Sequence, residues 1–118
     1  MESDVKKTGK IDYVELPGGE LPKTKAFYAD AFDWKFIDYG PSYAAFDDAG
    51  LDGGFQADAA EAPGRPLVIL FSEDLEATLE RAVKAGARIT RPIFSFPGGR
   101  RFHFEDPAGN ELAVWSDR

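Results

Sequence analysis

The chain has no cysteine, and a single histidine, His103, and a single methionine stand among its 118 residues. Without cysteine there is no disulfide framework, no thiol nucleophile and no thiolate zinc centre. No apolar run approaches the roughly eighteen residues that cross a bilayer, and the opening stretch MESDVKKTGK lacks the apolar core of a signal peptide. A basic stripe is missing too. The balance of 14 Lys and Arg against 21 Asp and Glu gives a net charge of −7. That leaves little to displace counterions from a nucleic-acid backbone, and Arg100-Arg101 is one isolated pair. A cytoplasmic protein with no nucleic-acid or membrane partner is the expectation. HExxH and EF-hand patterns are absent, and the doublets Gly18-Gly19, Gly53-Gly54 and Gly98-Gly99 lack a Rossmann or P-loop frame, so they read as turns and strand bends. Ser72 and Ser95 have no Ser–His–Asp context, and Ser72 is better placed as a helix cap.

Aromatic residues are plentiful: ten Phe, four Tyr and two Trp supply a bulky interior or a ligand-lining surface. At this length one domain, 1–118, is expected. After a loose polar leader (1–9), strand-forming residues at Ile11–Leu16 end in Pro17-Gly18-Gly19. Leu21–Phe32 has helical apolar spacing, with proline in its first turn. Strands follow at Trp34–Ile37, Tyr43–Phe46 and Gly53–Ala57, and DAAEAPGRP (58–66) reads as a linker. The pattern then restarts. Leu67–Phe71 is a buried strand and Leu75–Ala85 a helix capped by Ser72 or Asp74 and stopped by Gly86. A strand is expected at Arg88–Thr90, extending at most to Ile93, then a loop over 94–99 and a hairpin, Arg101–Glu105 and Asn110–Trp115. The order strand–helix–strand–strand–strand thus occurs twice, as module one (10–57) and module two (67–116). This is an α+β fold: two βαβββ modules, expected to form a curved mixed sheet with a concave cleft suited to a small ligand.

Lys25-Ala26-Phe27-Tyr28 before Phe32-Asp33-Trp34, Asp74-Leu75-Glu76-Ala77, Ala85-Gly86-Ala87 and Asp106-Pro107-Ala108-Gly109-Asn110 occur in order at compatible spacing. Together they resemble the vicinal oxygen chelate superfamily of glyoxalase I, bleomycin-resistance proteins and extradiol dioxygenases, over about Ile11 to Trp115. Asp33 stands where that family usually has glycine, and Asp tolerates the left-handed conformation a helix end needs. The resemblance implies a homodimer. It also implies, for most enzymes of the family, a divalent metal held by His, Glu or Gln from the first and last strands of each module. Carried over position by position, those ligands fall on Tyr13, Gly54, Leu67 and Ala113, none of them a good ligand. The expectation is no cofactor. A displaced metal site built from Glu15, His103 and Glu111 is the alternative, because Glu111 shares a strand face with Ala113, and Glu15 shares one with Tyr13.

Function follows as an uncharacterised glyoxalase-like protein, a metal-independent small-molecule binder of the bleomycin-resistance type. Tyr13, Trp34, Tyr43, Phe55 and Trp115 are its candidate aromatics, beside Glu15, Glu111, His103, Gly54, Leu67 and Ala113. An acidic cleft favours a cationic ligand. Core packing is the competing explanation for the aromatics. A lyase or dioxygenase-like metalloenzyme with a displaced site is the alternative, and a non-catalytic dimeric scaffold or regulator is the second. No catalytic residue is assigned.

Overall fold

The computed structural model describes residues 5–118. It divides into two compact units, residues 13–67 and residues 5–12 with 68–118. The first carries β1 (Ile11–Pro17, its first two residues counted with the other unit), α1 (Leu21–Phe32), β2 (Lys35–Asp38), β3 (Tyr43–Asp47) and β4 (Gly53–Gln56). Its strand order is β2-β3-β4-β1, with β1 parallel to β4 and the other pairs antiparallel. The second carries β5 (Leu67–Phe71), α2 (Leu75–Lys84), β6 (Arg88–Phe96), β7 (Gly99–Glu105) and β8 (Glu111–Ser116). There the order is β5-β8-β7-β6, with β5 parallel to β8. Each unit therefore has the βαβββ order and the mixed sheet expected of this α+β fold.

Helix ends follow from local chemistry. Asp33 adopts the left-handed conformation at φ 64°, and its N–H donates to the Ala29 carbonyl. Asp74, rather than Ser72, caps α2 by accepting from the Ala77 N–H at 3.1 Å. Ser72 supports it one step back, its hydroxyl accepting from the Asp74 N–H at 3.0 Å. Gly86, at φ 106°, ends α2 with Gly86 N–H to Val83 and Ala87 N–H to Ala82, the paired bonds of a Schellman motif.

Each helix covers one face of its sheet. Under α1, Leu21, Ala44 and Phe55 form a buried cluster with Tyr28, Trp34, Phe36 and Phe46. Under α2, Leu75, Phe102 and Val114 pack with Leu70, Leu79, Ile89 and Phe104.

Two expectations are corrected. The 94–99 stretch is not a loop: β6 runs through Phe96, and Phe94, Ser95 and Phe96 pair with Arg101, Arg100 and Gly99. β6 carries Pro92 within it, which is tolerated because β6 borders the sheet of its unit and register shifts between Ile89/Arg91 and Arg91/Phe94 absorb the proline. The leader is not loose throughout. Thr8 Oγ1 accepts from the Glu73 N–H and the Gly9 N–H donates to the Phe71 carbonyl, both at 2.8 Å, while residues 1–4 lie outside the described residues.

Candidate functional site

Strand alternation assigns the faces that the helices leave uncovered. In the first unit Leu16, Ala44 and Phe55 point to α1, so Tyr13 and Glu15 on β1, Gly54 on β4 and Tyr43 on β3 share the opposite face. β4 lies between β1 and β3, and the two phenols reach across it: their hydroxyls meet at 2.6 Å. Tyr43 Oη also donates to the buried Glu15 carboxylate, at 3.4 Å. Gly54 makes this possible. A Cβ there would stand 2.6 Å from Tyr43 Oη and 2.8 Å from Tyr13 Oη. Burial raises both phenols above their ordinary pKa, Tyr43 far above it, so each is a neutral hydroxyl across the physiological range.

In the second unit Phe102 and Val114 point to α2, so His103 and Ala113, direct cross-strand partners, face the other way. Glu111 and Trp115 share that face with them. Glu111 Oε2 lies 3.4 Å from His103 Nδ1 and accepts from the Thr90 hydroxyl at 2.9 Å. Among the described residues, His103 Nε2 is buried and has no hydrogen-bond partner. Burial first, then the Arg101 charge, lowers the His103 pKa, with Glu111 opposing. The ring is therefore neutral at pH 7, and its contact with Glu111 is a hydrogen bond rather than an ion pair. Phe94 packs on His103 at 5.8 Å between centroids, and the Arg91 guanidinium lies 3.6 Å over the Phe94 ring.

Not every candidate reaches these faces. Trp34 and Phe55 lie beneath α1, Trp34 stacked on Tyr28 at 4.7 Å, where packing is their evident role. Leu67 is a buried hydrocarbon at the start of β5. Trp115 is half-buried, touches Phe71 and Phe96, and donates its indole N–H to Asp12 at 2.9 Å. Among the described residues no group of three or more His, Cys, Asp or Glu is placed to hold a metal ion. Sequence reasoning passed over Thr90, Arg91 and Phe94. The available signal was Pro92 inside a strand-forming run, which marks an edge strand or a bulge.

The His103 environment has a measurable consequence. With a folded pKa below the ordinary 6.5, the unfolded chain binds a proton that the folded one refuses. Stability should hold above about pH 6.5 and fall as pH drops from there through the lowered folded value. Asp106 and Glu76, whose pKa values are lowered by hydrogen bonds from Asn110 and Arg100, act in a separate and more acidic window. Urea unfolding at pH 7.5, 6.0 and 5.0 reads the slope, and His103→Phe should flatten it.

A sequence model of the Glyoxalase/Bleomycin resistance protein/Dioxygenase superfamily matches residues 10–114. The chain belongs to this superfamily. Solved structures agree on the fold. A structure titled NAD-dependent benzaldehyde dehydrogenase from Legionella pneumophila is 18% identical at a TM-score of 0.72, covering 88% of this chain and 96% of that one. Methylmalonyl-CoA epimerase from Mycobacterium tuberculosis is 14% identical at a TM-score of 0.69, with 98% and 92% covered. A glyoxalase/bleomycin resistance protein/dioxygenase superfamily member from Vibrio splendidus 12B01 is 15% identical at 0.68, with 91% and 97% covered. Identities this low establish shared fold alone. No curated protein matches the chain in sequence.

The metal that many members of the superfamily hold does not fit these residues. Leu67 and Ala113 offer hydrocarbon, Gly54 offers no side chain, and the space at Gly54 is taken by the two phenols. Tyr13 is a neutral phenol already hydrogen-bonded to Tyr43, a poor ligand for a divalent cation.

Proposed function

We propose that this member of the superfamily is a metal-independent small-molecule-binding protein of the bleomycin-resistance type. The observation that carries the reading is the Tyr13–Tyr43 hydroxyl pair over Gly54. Over Gly54, one of the positions to which the resemblance assigns a metal ligand, this chain places a hydrogen-bonded pair of neutral hydroxyls instead. The faces opposite the helices offer what ligand sites usually combine: aromatic surface with a few polar groups. The reading also takes the protein to be cytoplasmic and to work as a two-fold homodimer, the commonest closed assembly.

A metalloenzyme reading with a displaced site has one observation on its side, the shared face and 3.4 Å approach of His103 and Glu111. Two such groups fall short of the three or more protein ligands that hold a catalytic divalent metal firmly. A small-molecule library screened by thermal shift, with and without excess EDTA, tests the proposal. Ligands that raise Tm should do so equally in both conditions. Stabilisation that disappears with EDTA would reject metal independence.

A further inference from the structure

His103 Nε2 is a buried polar atom without a partner among the described residues, in the only histidine of the chain. Such atoms are rare in folded proteins, because leaving one unsatisfied forfeits its hydrogen bonds to water. Its surroundings are built rather than incidental. Glu111, itself held by Thr90, lies at Nδ1 and favours the tautomer with the proton on Nδ1, which leaves a lone pair on Nε2. Ala113, directly across on β8, contributes only a methyl group beside the ring. On the other side, the two register shifts of β6 bracket Arg91, the residue paired with His103. Bulges concentrate at sheet edges and beside active sites, where they loosen pairing and re-aim side chains.

Resting on the small-molecule-binding reading, we propose that His103 Nε2 accepts a hydrogen bond from the hydroxyl of a small aromatic ligand seated against Phe94. Phe94 and Arg91 are both half-buried side chains of the bulged strand, and they are the elements that would give way to admit it. Arginines at 91 and 101 lie in cation–π contact with Phe94, and both charges act on His103 against that of Glu111, although the chain as a whole is acidic. A neutral or weakly acidic hydroxyl suits that setting better than an ammonium group does. The site thus departs from the cationic preference that net charge alone suggests.

The single histidine makes the test direct. In wild-type protein labelled with ¹⁵N-histidine at pH 7.5, the spectrum should show a protonated Nδ1 and an unprotonated Nε2. Phenol, titrated as the probe, should move the Nε2 resonance saturably. Anisole, which keeps the ring but lacks the O–H, should bind about tenfold more weakly, the worth of one buried hydrogen bond, and leave Nε2 unmoved. Glu111→Ala should shift the tautomer toward Nε2–H and erode the phenol preference without removing the imidazole. A resting Nε2–H tautomer would overturn the proposal, and so would an unmoved resonance at saturating phenol. Equal behaviour of phenol and anisole would also overturn it, leaving only a buried water as partner. If phenol raises Tm while His103 stays silent, the location is wrong and the binding reading survives. The EDTA comparison tests that reading separately.

Discussion

Phe55→Ala is expected to lower the unfolding free energy by about 3–5 kcal/mol, the usual cost of removing a buried phenyl ring. Phe55 is only 2% exposed, and its ring packs against Tyr28, Phe36 and Phe46 at centroid distances of 5.3, 6.0 and 5.2 Å. Collapse into the cavity is hindered because the neighbours constrain one another: Trp34 stacks on Tyr28 and touches Phe46. β4 gains most of its hold on α1 through this residue, since Gly53 and Gly54 before it carry no side chain. Urea or thermal unfolding measures the loss. A change below about 1 kcal/mol would mean that the aromatic cluster under α1 is not packed as described.

Gly54→Ala should destabilise by about 1–3 kcal/mol, the range for forcing a methyl into a filled site. The general advantage of alanine over glycine in a strand works the other way but is smaller, about 0.5–1 kcal/mol. The added Cβ would meet Tyr43 Oη at 2.6 Å, Tyr43 Cε1 at 2.7 Å and Tyr13 Oη at 2.8 Å, all closer than real contacts allow. Two of those three atoms belong to Tyr43. Tyr43→Ala should therefore relieve most of the clash, and the double variant should be less destabilised than the sum of the singles. Strict additivity would show that the phenols do not close over Gly54. The same geometry leaves no room for a carboxylate side chain at this position: the space above the strand belongs to the hydroxyl pair.

Much of this architecture was legible in the residues. Leu21-Pro22 and Phe32-Asp33 marked both ends of α1, and the uninterrupted run Leu67–Phe71 marked β5 to the residue. These signals are local, set by proline geometry, the left-handed tolerance of aspartate and an unbroken apolar run. β6 escaped because Pro92 normally stops a strand, and only the partner strand reveals that bulges carry the pairing past it. Face assignment failed for a different reason. Gly54 and Phe55 are adjacent, so alternation sends them to opposite sides and both cannot line one surface. Which side the helix covers is decided by tertiary packing, and that placed Phe55 and Trp34 beneath α1. The Tyr13–Tyr43 pair joins residues 30 apart across an intervening strand, a juxtaposition that no short motif encodes. What sequence could say was that Tyr13, Gly54, Leu67 and Ala113 are the wrong residue types for the metal site the resemblance implies. The structure adds that in the first unit the space over Gly54 is filled by the Tyr13 and Tyr43 side chains.

The most direct measurement is calorimetric titration of chelator-treated protein with Ni²⁺, Zn²⁺ and Fe²⁺, on wild type and Glu111→Ala. Metal independence predicts no saturable site near one equivalent per chain for any of the three ions, and the same flat response in the variant. One equivalent of tightly bound metal in wild type, lost on Glu111→Ala, would contradict the account and restore the displaced-site metalloenzyme.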